Sequence, residues 1–248
     1  HPRTVGGALA EQAVERLASR LWELREQLQP QLTTIEEAMQ IATAEQGLVI
    51  FADGSDNPGG GAPCDGTVAL RALIDADFQG AVVGCLHDPE TVEQASRAGE
   101  GATLQVQLGG KTDDRHGSPV TTSAEVVRLS DGTFRFHGAM ARGLEDTLGP
   151  TALLRIGGVQ VLVTSLRRQL IDRAMLETVD LDFTTSSLLV LKSAVHFRAD
   201  IGPAATEILD GDTPGIHRPD FSCFDYHNLR RPVYPLDGDL ELSDLERK

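Results

Sequence analysis

The chain has 248 residues, 40% of them hydrophobic and 24% charged, which is enough apolar material for the core of one large domain or two small ones. Its 37 acidic residues outnumber its 22 basic residues and give a formal net charge of −15, which argues against a nucleic-acid or anionic-membrane partner. No apolar run approaches the roughly 20 residues that a membrane-spanning helix needs, so no membrane segment is expected.

Two helices are predicted at the start of the chain. In the first, apolar residues recur every three or four positions, at Val14, Leu17, Leu21, Leu24 and Leu28. This helix is predicted to end before Pro30. The second begins at the capping-box pattern Thr33-Thr34-Ile35-Glu36 and has one apolar face, formed by Ile35, Ala38, Met39 and Ala42.

Strands then alternate with helices. Residues 48–52 are a short continuous apolar run, which is typical of a strand buried on both faces. After a glycine-rich loop, Asp65 is predicted to cap a helix that carries Leu70, Leu73 and Ile74. Residues 81–86 are the next strand, and Asp88-Pro89-Glu90 begins a helix that ends near Gly99. This order indicates a parallel sheet covered by helices.

The middle of the chain, about residues 103–168, is predicted to be antiparallel because its apolar residues alternate with polar ones and its glycine pairs are hairpin signals. Its strands and turns are predicted at residues 104–108, 120–129, Asp131-Gly132, 133–136, 151–156, Gly157-Gly158 and 159–164.

A buried strand returns at residues 188–191, a short helix is predicted over residues 204–209, and the tail from Asp212 is expected to run extended over the surface. The sequence therefore predicts an α/β fold, in which a mixed sheet with βαβ units is flanked by helices and accompanied by an antiparallel hairpin section.

The loop from Asp53 to Gly61 follows a buried strand, and ligands of open α/β sheets lie beyond the carboxyl ends of strands. The backbone N–H groups of Gly59, Gly60 and Gly61 could cradle a phosphate, a carboxylate or a developing oxyanion, and Asp53 and Asp56 could orient a substrate or transfer protons. The alternative is a tight turn that uses glycine only for its conformational freedom.

Lys192, His196 and Arg198 follow the strand at residues 188–191. Three potential cations beyond the end of a strand suit a carboxylate or phosphate of a ligand, and His196 could instead shuttle protons. The alternative is that these cations pair with the many acidic residues of the chain. Residues 109–112 and His116-Gly117 similarly form either a ligand-contacting loop or a polar connector.

No metal site is predicted in this chain, because it lacks a His-Glu-x-x-His motif and its three cysteines have no metal-ligand spacing. An odd number of cysteines, Cys64, Cys85 and Cys223, favours reduced thiols and a cytoplasmic protein.

Five motifs occur together in order: Asp53-x-x-Asp56-Asn57-Pro58-Gly59-Gly60-Gly61, Leu108-Gly109-Gly110-Lys111-Thr112-Asp113, His116-Gly117-x-Pro119, Lys192-Ser193-x-x-His196-Phe197-Arg198-Ala199 and Arg230-Arg231-Pro232-x-Tyr234-Pro235-Leu236-Asp237. In combination they resemble the C-terminal domain of the microcystinase C (MlrC) family, the M81 metallopeptidases.

The resemblance implies a domain at residues 47–237, preceded by a helical segment at residues 1–46 that resembles the end of the family's N-terminal domain, and followed by a charged tail at residues 238–248. Members of the family are zinc-dependent hydrolases of peptide or amide bonds in small peptides, and their zinc ligands lie in the N-terminal domain. The chain begins without an initiator Met, so we expect a C-terminal fragment. We expect this fragment to be inactive alone, because its zinc ligands would lie in the N-terminal domain.

Under this resemblance, Asp56, Asn57 and His196 are the predicted catalytic residues, and Gly59, Gly60, Gly61, Lys192 and Arg198 are the predicted substrate-binding residues. The expected partners are the N-terminal metal-binding domain of the same protein and a small peptide or amide substrate, and a homo-oligomer is possible. The main alternative is a non-catalytic binding module for a small anionic or peptide ligand.

Overall fold

The computed structural model of the chain describes residues 5–238 and 240–242. Residues 1–4, at the start of the predicted helical segment, and residues 239 and 243–248 of the predicted charged tail lie outside the described residues. The described chain divides into two compact units, one formed by the residues up to Gln31 and from Pro219, the other by Leu32–Arg218. The predicted limits at residues 46 and 237 stay predictions.

The first unit contains helix α1 (Val5–Leu24) and a C-terminal segment with one short 3-10 turn (Phe221–Cys223). The Trp22 and Tyr234 rings meet edge-on with centroids 5.7 Å apart, and the Arg25 guanidinium lies 4.7 Å from the centre of the Trp22 ring. The first predicted helix is confirmed, although it ends earlier than Leu28, and its apolar residues Val14, Leu17 and Leu21 are exposed. No helix within the described ranges is long and apolar enough to cross a membrane.

The second unit is built around a nine-stranded sheet with the order β1-β11-β2-β10-β3-β9-β8-β5-β4, and a separate pair, β6 and β7. The strands are β1 (Leu32–Thr33), β2 (Leu48–Ala52), β3 (Ala81–His87), β4 (Thr103–Leu108), β5 (Val120–Ser130), β6 (Thr133–Arg135), β7 (Glu145–Thr147), β8 (Thr151–Ile156), β9 (Val159–Thr164), β10 (Leu188–Leu191) and β11 (Ala205–Gly211). The helices are α2 (Ile35–Ala44), α3 (Val68–Asp75), α4 (Pro89–Ala98) and α5 (Ala174–Glu177).

Six neighbouring strands, from β1 to β9 in the sheet order, run parallel, and the remaining three continue the same sheet antiparallel. The predicted α/β fold with a mixed sheet is therefore confirmed. The predicted antiparallel section is an extension of the main sheet, because β9 pairs in parallel with β3 on one side and antiparallel with β8 on the other.

Each face of the sheet carries its own hydrophobic core, because successive side chains of a strand point to opposite faces. Val49 and Phe51 of β2 pack with α2, α3 and α4, whereas Ile50 packs on the other face with α5 and with Phe197 from the segment after β10. The chain thus leaves β2 toward one face and β10 toward the other. Ligands of α/β sheets bind at such a divergence. We call this edge of the sheet, at the carboxyl ends of β2 and β10, the crevice.

Three local predictions are wrong. The predicted helix over residues 204–209 is strand β11, which pairs in parallel with β2 and β1. The Asp131-Gly132 turn does not join β5 and β6 in one hairpin, because β5 pairs with β4 and β8 while β6 pairs with β7. Asp65 does not cap α3, whose N-cap residue is Thr67.

Candidate functional site

The two predicted clusters, the loop after β2 and the segment after β10, meet at the crevice. Ala52 and Leu191 are partners in the parallel pairing of these strands, and the Asp53 N–H donates to the Leu191 carbonyl over 2.9 Å. Residues that stand far apart in the chain therefore begin side by side at one edge of the sheet.

Lys192 forms the buried centre of this region. Its Nζ lies 3.0 Å from Asp53 Oδ2 and 2.8 Å from Asp56 Oδ2, and all three side chains are almost completely buried. Burial alone would lower the pKa of Lys192, but the two carboxylates outweigh it and hold that pKa above its ordinary value. Lys192 is therefore a charged residue inside the protein, with its ammonium group paired to two carboxylates.

Both carboxylates have further hydrogen-bond donors. The Asp56 side chain accepts from the Cys64 N–H over 2.7 Å and from the Gly66 N–H over 2.6 Å. Asp53 accepts from the Thr213 hydroxyl, which lies beyond β11. The Asp53–Lys192–Asp56 cluster thus ties three strand-end loops together, and hydrogen bonds to buried charges are among the stronger ones in proteins.

The glycine turn is closed by its own hydrogen bonds. The Gly59 N–H donates to Asn57 Oδ1 over 2.8 Å, the Gly60 N–H donates to the Asn57 carbonyl, and the Gly61 N–H donates to the Pro58 carbonyl. All three N–H groups that the sequence predicted as a ligand cradle are used inside the turn in this conformation. Their predicted role in binding a substrate or an oxyanion stays a prediction.

Two of the glycines make room for side chains from other loops. A Cβ on Gly60 would overlap the imidazole ring of His217, and a Cβ on Gly59 would lie 2.8 Å from Gln169 Oε1. Because such distances are shorter than van der Waals contacts, glycine is required at both positions for these side chains to lie where they do. Neither His217 nor Gln169 was predicted from the sequence, since no local spacing links them to the loop.

The exposed rim of the crevice carries two histidines held in the same way. His217 Nδ1 lies 2.8 Å from the Gly54 carbonyl, and His196 Nδ1 lies 3.1 Å from Gln169 Oε1, while Gln169 Nε2 donates to Ser193 Oγ over 2.7 Å. A carbonyl oxygen can only accept, so in the neutral ring each Nδ1 carries the proton and each Nε2 presents a lone pair. This rim is the place where the predicted catalytic residue His196 lies.

The buried His116 holds a fourth loop, between β4 and β5, against the site. The His116 Nε2 accepts from the Ile216 N–H over 3.2 Å, and its Nδ1 lies 2.8 Å from Asp113 Oδ1. Burial opposes the ionisation of Asp113, but the hydrogen bonds from His116 and from backbone N–H groups outweigh it and hold the pKa of Asp113 below its ordinary value. His116 also lies 3.9 Å from Asp56 Oδ1, so the loop predicted at this position does reach the site.

Asp65, which the sequence assigned to a helix cap, anchors the same fourth loop. Its Oδ2 accepts from the Lys111 and Thr112 N–H groups and from the Thr112 hydroxyl, each over 2.9 Å. Lys111 in turn binds Asp88 and Glu90. A cap and a loop anchor are both short polar residues after a strand, so the sequence pattern could not separate them.

Arg198 pairs with Asp210 at the end of β11, with 2.8 Å between Nη2 and Oδ1. Its guanidinium also lies 5.4 Å from the centre of the Phe197 ring. Arg198 and Lys192 therefore both have carboxylate partners within the chain, and their predicted role in binding a ligand stays a prediction.

Residues 51–228 match the model of the MlrC C-terminus family. The chain belongs to this family. It is 26% identical over 192 residues to microcystinase C from Sphingomonas sp., which covers 76% of this chain and 36% of that protein. It also resembles the 2.13 Å crystal structure of a protein from Mesorhizobium sp. BNC1 that is provisionally classed as a metallopeptidase. The TM-score is 0.76, the sequence identity is 29%, and the match covers 88% of this chain and 43% of that one.

Both relatives have hydrolase names, so the MlrC C-terminal domain described here belongs to a peptidase-type family. The chain spans about two-fifths of the length of these relatives. The predicted resemblance is therefore confirmed, and the activity of the whole protein remains to be proposed.

The side chains in the described part of the chain do not fit a metal ion. Among the described residues, no three side chains of His, Cys, Asp or Glu come together as potential ligands. The sequence has two Asp-x-His tripeptides, Asp114 to His116 and Asp225 to His227, and neither belongs to such a group. In the first, both ring nitrogens of His116 are already hydrogen-bonded, and Asp53 and Asp56 are surrounded by donors.

Proposed function

We propose that this chain is the C-terminal part of a metal-dependent hydrolase of peptide or amide bonds in small peptides. The observation that carries the proposal is the family match over residues 51–228, supported by the metallopeptidase class of the Mesorhizobium protein. The metal would be zinc and would be held by another part of the protein, because the described residues do not fit it. The chain's own residues would bind and orient the substrate.

The arrangement of the crevice supports a binding role. Four loops are fixed by buried polar contacts through Asp53, Asp56, Lys192 and His116. His196 and His217 are exposed at the rim, and Asn57 is buried in the glycine turn. Residues that contact a substrate must be held rigidly by a second layer of contacts, and this region has that layer. Asn57 Nδ2 is a hydrogen-bond donor with no partner in the described part of the chain, and it would donate to the carbonyl oxygen of the amide that is cleaved.

The test is an amide-hydrolysis assay on the longest natural protein that carries this chain. Hydrolysis of small peptides should be lost after chelation and return with zinc. The chain alone should neither hydrolyse peptides nor retain zinc after dialysis. Hydrolysis that survives complete metal removal, or one zinc retained for each copy of the chain alone, would contradict the proposal.

A non-catalytic binding module is the second candidate, because the same rigid arrangement of loops would also serve binding alone. Under that alternative, the longest natural protein binds small peptides and leaves them intact, whatever metal is added.

A further inference from the structure

The basic residues near the rim of the crevice suggest a site for an anion, but their contacts indicate the opposite. Residues 192–218 contain three Lys and Arg side chains, and all three are paired within the chain. Lys192 is paired with Asp53 and Asp56, Arg198 with Asp210, and Arg218 with Asp212. The glycine N–H groups, the other expected binders of an anion, donate inside their own turn.

The exposed groups that remain open at the rim, His196 and His217, are hydrogen-bond acceptors, whereas the free donor Asn57 Nδ2 belongs to a side chain that is buried in the glycine turn. Because His217 Nδ1 faces the Gly54 carbonyl and His196 Nδ1 faces Gln169 Oε1, each neutral ring presents an unprotonated Nε2. Neither Nε2 has a hydrogen-bond partner in residues 5–238 or 240–242. Both side chains are exposed, so they are accessible to a ligand.

The two imidazoles flank the same turn, because consecutive glycines of the turn face the groups that hold them. The His217 ring packs against Gly60, and Gly59 lies against Gln169, which is hydrogen-bonded to His196. The buried cluster beneath them has two carboxylates for one ammonium group, and the chain as a whole has a net charge of −15. A negative potential attracts cations and repels anions, so charge and hydrogen-bonding capacity favour the same ligand.

We propose that the His196–His217 rim binds a primary ammonium group of a peptide ligand rather than its carboxylate. The choice of a peptide rests on the proposed function, whereas the preference for an ammonium group rests on the contacts of the rim. An Nε2 lone pair would accept an N–H of the ammonium group, and hydrogen bonds to charged groups are stronger than those between neutral groups.

The first experiment measures the tautomers of the two rings by ¹⁵N NMR of the labelled chain. His217 and His196 should both show the Nδ1–H tautomer at neutral to mildly alkaline pH. This result needs no metal, no substrate and no other part of the protein. The Nε2–H tautomer at His217 would overturn the proposal, because Nε2 would then be a donor.

The second experiment titrates four small molecules into the same chain and follows the imidazole signals. Alaninamide carries an α-ammonium group, n-butylamine carries a side-chain-like ammonium group, N-acetylalaninamide carries no charge, and N-acetylalanine carries only a carboxylate. Alaninamide should bind at least about tenfold more tightly than either N-acetyl compound. Equal binding of butylamine would support a site for primary ammonium groups in general, and tighter binding of N-acetylalanine would overturn the proposal.

Variants locate the binding. His217→Ala should weaken alaninamide binding about tenfold or more, and Gly60→Ala should do the same because it displaces the ring without changing its chemistry. The matched controls are His137→Ala, an exposed histidine on another loop, and Gly7→Ala, where an added Cβ meets nothing within 4 Å. Unchanged affinity in folded His217→Ala protein would overturn the proposal.

The outcomes also separate this inference from the proposed function. Ammonium binding without any peptide hydrolysis by the longest natural protein would support the rim and favour the binding module. Hydrolysis without ammonium binding would leave the hydrolase intact and remove the rim as its binding site.

Discussion

At the scale of single residues, Lys192 is the buried centre of the site, because its ammonium group lies between two carboxylates of its own chain. The sequence pattern predicts instead that Lys192 binds a ligand. The sequence pattern could not distinguish these possibilities, because the partners Asp53 and Asp56 lie on a different strand-end loop far away in the chain. The buried ammonium group still serves the site, because it fixes the loop that carries Asn57 and the glycines.

Replacing Lys192 with Met should reduce the free energy of unfolding by about 3–5 kcal/mol, since two carboxylates would remain buried without their cation. The raised pKa of Lys192 means that its contribution is complete at all pH values below the ordinary lysine range and is lost only when the pH rises through the higher folded value. Urea unfolding at neutral pH measures the change.

Arg198→Met is the matched control for this prediction. It removes the cation of an exposed ion pair with Asp210 and should cost less than about 1 kcal/mol. Equal losses for the two variants would show that the buried cluster contributes no more than a surface ion pair.

Gly59 and Gly60 make contacts that the sequence alone could not predict. The sequence pattern indicates that Gly59-Gly60-Gly61 is a functional loop and predicts that its free N–H groups bind a ligand. The structure gives a different physical reason for two of these glycines, because they leave space for Gln169 and His217. Contacts of this kind join loops that no local pattern connects, so only the fold could reveal them.

At the scale of elements, the strands and helices with strong local sequence patterns lie where the sequence predicts them. The continuous apolar runs of β2, β3 and β10 and the Asp-Pro start of α4 appear where expected. The segment Ala205–Gly211 has helix-forming residues but becomes a strand, because it fills the space between β1 and β2 and satisfies the backbone groups of both. Tertiary pairing here overrides a weak local preference.

The N-cap of α4 should be unusually important for stability. Asp88 caps the helix at Thr91 and also accepts from the Gly109 N–H and from Lys111 Nζ, all from a buried position. Asp88→Ala should therefore cost about 2–4 kcal/mol, more than the roughly 1 kcal/mol of an ordinary cap.

The matched control is Thr34→Ala, which removes the exposed capping box of α2. Urea unfolding of both variants gives the comparison. If Asp88→Ala costs no more than Thr34→Ala, the loop contacts of Asp88 add nothing to its role as a cap.

At the scale of the whole molecule, the order of strands creates the site. The sequence rhythm predicted a parallel sheet, but it could not predict that β10 inserts between β2 and β3. That insertion brings the loop after β2 and the segment after β10 together. The chain then leaves the two strands toward opposite faces of the sheet, and the crevice lies at this divergence.

Residues 32–218 should fold when produced alone, because both hydrophobic cores and all eleven strands described here lie within this range. Circular dichroism and urea unfolding should show a cooperative transition, and the buried thiols of Cys64 and Cys85 should resist alkylation until that transition. A gradual transition with both thiols reactive from the outset would contradict this prediction.

The central claim is that the crevice of this chain orients the amide in a metal-dependent hydrolase. The most direct test is the steady-state kinetics of Asn57→Asp in the longest natural protein that carries the chain. The carboxylate keeps the acceptor that holds the Gly59 N–H but cannot donate to the amide oxygen. We predict that kcat falls by about tenfold or more while KM does not rise. An unchanged kcat in the folded, metal-loaded variant would show that Asn57 only closes the turn and would contradict the claim.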